Sequence, residues 1–269
     1  MSRVLANGVE LHYDQAGQGS TVVLVHGGMC DSAEWRPVLA RLSESHRAIA
    51  YSRRNAHPNE IQANLPWGIR EHAADLAALL VELGAAPADL VGESYGAFVV
   101  LECAMRNPEL VRRLVIDEPP IPSLLTSRMD AALRRELEDL LAEAQKLLET
   151  RDFEAAVRLV VDYVEGSPGT FAKLPSADRV MLLRNADAFR LELEAGLPTV
   201  SPEALRRLLL PTLLLTSTIG PRALSRITAV VAECLPDSRL VSLPGTTHGS
   251  LIFSPDYVRA VEGFLAAPS

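Results

Sequence analysis

The chain has 269 residues, 48% of them hydrophobic, enough for one large α/β domain or two ordinary ones with a substantial core. Formal net charge is −8 and no Lys/Arg cluster is interleaved with aromatics, which excludes nucleic acid as the expected partner. Cys30, Cys103 and Cys234 match no metal or redox spacing and read as free thiols. There is no basic-then-apolar leader and no long uncharged run, so a soluble cytoplasmic protein with no membrane partner is expected.

In chain order, VELHYDQAG (Val9–Gly17) alternates like a hairpin strand, and STVVLVHGG (Ser20–Gly28) reads as a buried strand ending in glycines. HRAIAYS (His46–Ser52) predicts another strand, and Ile69–Ala85 carries apolar residues at helical spacing until Gly84. DLVGES (Asp89–Ser94) predicts a strand, YGAFVVLECAMRNPEL a helix closed by Asn107-Pro108, and RRLVIDEPP (Arg112–Pro120) a strand stopped by two prolines. This rhythm implies right-handed crossovers and a mostly parallel sheet covered on both faces.

From about Pro119 to Ser201 the pattern becomes wholly helical, with predicted helices in Ser127–Asp152, Asp152–Gly166 and Ser176–Gly196. Alternation then resumes with the strand PTLLLTS (Pro211–Ser217), a helix over Ala223–Leu235, the strand RLVSLPG (Arg239–Gly245) and a last helix over Ser254–Ala267. The expected organisation is therefore a core domain, 1–120 and 201–269, with a helical cap, 121–200, inserted in it.

Gly92-Glu93-Ser94-Tyr95-Gly96 places a serine at a predicted strand-to-helix junction, where flanking glycines leave room for a tight turn and the helix N-terminus favours negative charge. Ser94 is the candidate nucleophile. A serine hydroxyl needs a base, and of six histidines His248, in the loop LPGTTHGSL after the last strand, is placed to reach it. HGGMCDSAEW (His26–Trp35) follows a buried strand, and backbone N–H groups of such a turn can hold an oxyanion together with the N–H of Tyr95.

HGG…W, G-x-S-x-G, a helical insertion after the next strand and a late loop histidine, in that order, resemble the α/β-hydrolase family over nearly the whole chain. The resemblance implies the α/β-hydrolase fold, an eight-stranded, mostly parallel sheet with a helical cap, and a Ser–acid–His triad without metal or organic cofactor. By matched position it makes Ser94 the nucleophile, His248 the base, and Gly28 (or Met29) and Tyr95 the oxyanion donors.

The acid departs from the family pattern. Relatives usually carry aspartate in the loop after the strand PTLLLTS, where this chain has Gly220 and no carboxylate before Glu233. Asp117 and Glu118 end the strand after the elbow helix, at the same sheet edge as Ser94. Successive strand residues face opposite ways, so only one of them can meet His248. Glu118, directly before Pro119-Pro120, is favoured as the acid and Asp117 is the alternative; some family branches that resemble this arrangement place a glutamate there.

Arg53 and Arg54 could hold a substrate carboxylate, although arginines at a strand end more often make structural ion pairs. Glu93 is expected to point away from the base and to have no catalytic role. The expected activity is hydrolysis of a carboxylic ester or lactone, small to medium and largely apolar, through an acyl-enzyme; C–C bond hydrolysis or cofactor-free perhydrolysis would use the same triad. The alternative class is a ligand-binding protein with little or no turnover. The expected partner is that small molecule, with a homodimer as a possible assembly.

Overall fold

Asn7 and Gly8 both adopt positive φ (49° and 76°), the conformation a two-residue hairpin turn requires. They reverse the chain between β1 (Ser2–Ala6) and β2 (Val9–Ala16), so the alternating segment has a preceding partner strand that the sequence reading lacked. The computed structural model describes residues 1–62, 64 and 67–267; positions 63, 65, 66, 268 and 269 of the expected core lie outside them.

The chain continues through β3 (Thr21–Val25), α1 (Arg36–Leu42), β4 (Arg47–Tyr51), α2 (Ile69–Glu82), β5 (Ala88–Glu93), α3 (Tyr95–Arg106) and β6 (Val111–Asp117). Five helices follow: α4 (Ala131–Glu149), α5 (Phe153–Val164), α6 (Ser176–Arg184), α7 (Ala186–Ala195) and α8 (Pro202–Arg206). The sheet resumes with β7 (Thr212–Ser217), α9 (Arg222–Cys234), β8 (Ser238–Leu243) and α10 (Pro255–Leu265).

The eight strands form one sheet in the order β1-β2-β4-β3-β5-β6-β7-β8. β1/β2 and β2/β4 pair antiparallel and every other pair is parallel. β3 and β5 are buried along their whole length, as the continuous apolar runs of strands covered on both faces require. One face packs on α2, α3 and α9 through Leu76, Phe98 and Ile227; the other packs Trp35, Val38 and Tyr257 against Leu24, Val91 and Leu215. The parallel register puts the carboxyl ends of β3, β5, β6 and β7 side by side, which is where ligands meet open α/β sheets.

Between β6 and β7 the described residues form helices and turns, no strand. α4 to α7 gather Leu148, Val157, Val161, Phe171 and Phe189 into an apolar cluster that takes in Met29 and Cys30 from the loop after β3. The segment read as one helix over Ser176–Gly196 is two, divided at Asn185. That side chain accepts from His57 N–H (2.7 Å) and donates to Asp31 Oδ2 (2.9 Å), tertiary bonds that fix the break and tie the helices to the sheet. Arg184 adds a second tie to Asp31.

Candidate active site

Ser94 stands between β5 and α3 with φ 52° and ψ −118°, a strained conformation for a residue with a side chain. Two features hold it. Its N–H donates to Asp117 O (2.8 Å) at the end of the neighbouring strand. The flanking glycines let strand and helix close up, since a Cβ on Gly92 would lie 2.5 Å from Gly96 O and one on Gly96 2.2 Å from Val25 O. Ser94 lines a cavity of about 320 Å³, and its Oγ makes no hydrogen bond among the described residues.

His248 lines the same cavity from the loop after β8. Its Nδ1–H donates to Glu118 Oε2 at 2.7 Å. Glu118 Oε1 meanwhile accepts from Thr216 Oγ1 (2.7 Å), Ser217 N–H (2.8 Å) and Ser217 Oγ (2.9 Å). Burial alone would raise the Glu118 carboxyl, but bonds from His248, Thr216 and Ser217 hold it below its ordinary value. Glu118 itself sits at φ 44°, turned out of the strand just before Pro119.

Asp117 is brought elsewhere. Its Oδ2 accepts from Tyr257 Oη at 2.6 Å on the opposite face of the sheet, and burial pushes its carboxyl well above the usual range. The vacated position after β7 is also explained, because a Cβ on Gly220 would lie 2.4 Å from Ser217 Oγ and 3.2 Å from His248 N. The end of β7 instead carries hydroxyls and a backbone N–H, from Thr216 and Ser217, that anchor the glutamate following the neighbouring β6.

Glu93 corrects the sequence reading. Its Oε1 lies 3.2 Å from His248 Nε2, so it meets His248 rather than pointing away. The reason is Gly27: a Cβ there would be 2.0 Å from Glu93 Oε2, and its absence opens space for a carboxylate to bend back over the elbow. Glu34, which the sequence reading did not single out, also lines this end of the cavity. Burial, and then the charge of Glu93, push its carboxyl up to about 8. Burial pulls His248 down, but bonds to Glu118 and Glu93 outweigh it and raise the imidazole to about 10. The one available signal for Glu93 was a long acidic side chain beside a glycine-rich loop.

Gly28, Met29 and Tyr95 line the cavity with Ser94. Tyr95 opens α3, so its N–H lies in the first turn, where backbone donors lack partners within the helix. Gly27 O accepts from His26 Nδ1–H (2.8 Å) and from Arg53 Nη2 (2.7 Å). Because the peptide is planar and trans, this turns the Gly28 N–H away from both of them. His26 Nε2 accepts from Arg53 N–H (3.0 Å), and burial with the adjacent Arg53 charge holds that imidazole neutral, well below its ordinary value.

Arg53 and Arg54 do not line the cavity; both are engaged in buried ion pairs. Arg53 is 1% exposed, pairs with Glu192 of α7 at 2.5 Å and lies 4.7 Å over the Tyr95 ring. Arg54 forms a two-pronged pair with Asp75, both contacts 2.6 Å. Both guanidiniums are buried in bonds that a substrate would have to break. Among the described residues no helix is long and apolar enough to cross a membrane.

Residues 22–261 match the model of the alpha/beta hydrolase family. Among relatives, the chain is 38% identical over 116 residues to a 2-hydroxy-6-oxo-2,4-heptadienoate hydrolase of Pseudomonas putida, a match that spans 42% of each chain. Among solved structures it resembles the enol-lactonase of Burkholderia xenovorans LB400, with TM-score 0.80, 19% identity, and 99% of this chain and 100% of the other covered. It also resembles the bromoperoxidase of Bacillus anthracis, with TM-score 0.82, 19% identity and the same coverage. At that identity the two structures speak for the fold alone. The family match over 240 residues decides the assignment, and the chain belongs to the alpha/beta hydrolase family.

Proposed function

We propose that the protein is a serine hydrolase that cleaves a carboxylic ester or lactone through an acyl-enzyme. The observation that carries this reading is Ser94 on a strained elbow, in one cavity with a histidine whose Nδ1–H donates to a buried glutamate. Ser94 Oγ attacks the carbonyl carbon while His248 Nε2 takes its proton. Glu118 fixes the tautomer and stabilises the imidazolium. The Gly28 and Tyr95 N–H groups receive the oxyanion, Met29 N–H being the alternative to Gly28. His248 returns the proton to the leaving oxygen, and water repeats the cycle on the acyl group.

Leu141, Val160, Val164, Phe189 and Leu193 give the cavity mostly apolar walls, which suits a small to medium acyl compound. A second reading, hydrolysis of a hydroxy-oxo-dienoate, is supported by the name of the Pseudomonas putida relative. It is disfavoured by the cavity lining, which among the described residues contains no Lys or Arg for the carboxylate of such a substrate. The test is release of p-nitrophenol from short-chain p-nitrophenyl esters. Wild type should turn over and Ser94→Ala should lose that activity, whereas equal inertness across a broad ester and lactone panel would leave a ligand-binding protein.

A further inference from the structure

For Ser94 to lose its proton to His248, Nε2 must present a lone pair to Oγ. In this structure both ring nitrogens face carboxylate oxygens, Nδ1 at 2.7 Å from Glu118 and Nε2 at 3.2 Å from Glu93. Nδ1–H donates to Glu118, Nε2 lies beside Glu93 in a close ion pair, and the two carboxylates together hold the imidazole as a cation. Glu93 is 7% exposed, and His248 is its sole ion-pair partner among the described residues. Turning His248 toward Ser94 as a neutral base would leave a buried carboxylate uncompensated, which is strongly unfavourable.

No replacement cation lies in the cavity among the described residues. Among the described residues the cavity is lined by no Lys or Arg, while Glu34, Glu165 and Asp178 add further carboxyls and Glu34 Oε2 is buried without a partner. A cation carried by the substrate can supply that replacement. We propose that Glu93 determines specificity by binding an alkylammonium group on the leaving side of an ester or thioester, and that this cation displaces His248 Nε2 and frees it for Ser94.

The leaving side follows from the chemistry, since Nε2 must finally hand its proton to the leaving atom and Glu93 adjoins Nε2. As the ammonium docks, His248 gives its Nε2 proton to solvent, so one cation replaces another beside Glu93. Ser94 then attacks as above, and the acyl part occupies the apolar walls. The proposal rests on the serine-hydrolase reading for turnover, but not for cation binding.

Acetylthiocholine, its uncharged isostere S-(3,3-dimethylbutyl) thioacetate and the anionic S-acetyl-3-mercaptopropanoate all release a thiol read by the same reagent. Wild type should show kcat/KM at least about tenfold higher for acetylthiocholine than for the isostere, a free-energy preference equivalent to one decade. The anionic ester should be slowest, and Glu93→Gln should level the first two. Equal rates in wild type, a preference that survives Glu93→Gln, or fastest cleavage of the anionic ester would overturn the proposal.

Binding is read separately by titrating acetylthiocholine into Ser94→Ala and into Ser94→Ala/Glu93→Gln in a calorimeter. Affinity should fall about tenfold or more in the double variant, and equal affinities overturn the cation subsite. If wild type cleaves none of the three esters while Ser94→Ala binds the cation through Glu93, the subsite stands and the hydrolase reading fails.

Discussion

His248 Nδ1 lies 2.7 Å from Glu118 Oε2, joining the loop after β8 to the end of β6 across the intervening β7. A glutamate spans that gap because it has one methylene more than aspartate and because φ 44° swings it out of the strand. Thr216 and Ser217, on the strand that is crossed, hold its other oxygen. The carboxylate that faces His248 thus follows one strand and is oriented by another.

If that contact sets the tautomer, Glu118→Gln should lower kcat on p-nitrophenyl esters by about 10³–10⁴-fold, as loss of the tautomer does in a serine-protease triad. Asp117→Asn should cost less than about tenfold, since Asp117 accepts from Tyr257 and an amide oxygen can still do so. Steady-state kinetics of both variants, with melting curves as a fold control, decide the ranking. A reversed order would move the role to Asp117.

Returning the acid to the loop after β7 should fail in this chain. A Cβ on Gly220 would lie 2.4 Å from Ser217 Oγ, so Gly220→Asp should destabilise by about 1–3 kcal/mol through overpacking. Glu118→Ala/Gly220→Asp should remain inactive, and removing the obstructing hydroxyl with Ser217→Gly should recover part of the activity. Urea midpoints and kcat/KM for the three variants check this; rescue by the double variant alone would show that Gly220 has room after all.

The succession of strands and helices after β1 and the elbow at Ser94 were legible in the sequence because each rests on local pattern, whereas the preference for Glu118 over Asp117 rested on the family resemblance. DLVGES followed by YGAFVV announces its own turn, and the missing carboxylate after PTLLLTS directs attention to Glu118. Glu93 was not legible, since its direction is decided by the empty side of Gly27, 66 residues away in the chain and adjacent in space. The break at Asn185 was hidden for the same reason: helical spacing continues through it, and only the bonds to His57 and Asp31 end the helix there. Pattern within a segment survives in sequence; space between segments does not.

Arg53 is expected to position the oxyanion site rather than touch substrate. It holds Gly27 O, which orients the next N–H, and lies over the Tyr95 ring, while its pair Glu192 belongs to α7. Arg53→Met should lower kcat by up to about 10²-fold, at or below the loss of one oxyanion donor, with KM little changed. Both Arg53→Met and Glu192→Gln should destabilise by about 3 kcal/mol or more, because each leaves the other half of a buried pair short of its counter-charge. The readout is a kcat loss in the folded Arg53→Met variant larger than that in Glu192→Gln, and a raised KM alone in Arg53→Met would contradict it.

Stability should fall as pH rises from neutral to alkaline. The folded chain raises His248 from near 6.5 to about 10, so the stability contributed by its proton is full below about 6.5 and is lost as pH climbs to 10. Glu34, raised to about 8, has the same sign: its contribution is full below about 4.5 and lost through 8. Glu118, held low, acts oppositely and matters only as pH falls below its unfolded value. Melting temperature measured from pH 7 to 10 should therefore decline, whereas below about 6.5 His26 and His72, buried neutral and held well below their ordinary value, act with the opposite sign. Glu93→Gln should flatten the upper part of that decline, because it removes one of the two carboxylates that retain the proton on His248 and the charge that raises Glu34. A flat or rising profile in the wild type would contradict the Glu93–His248–Glu118 arrangement as the dominant charge in the site.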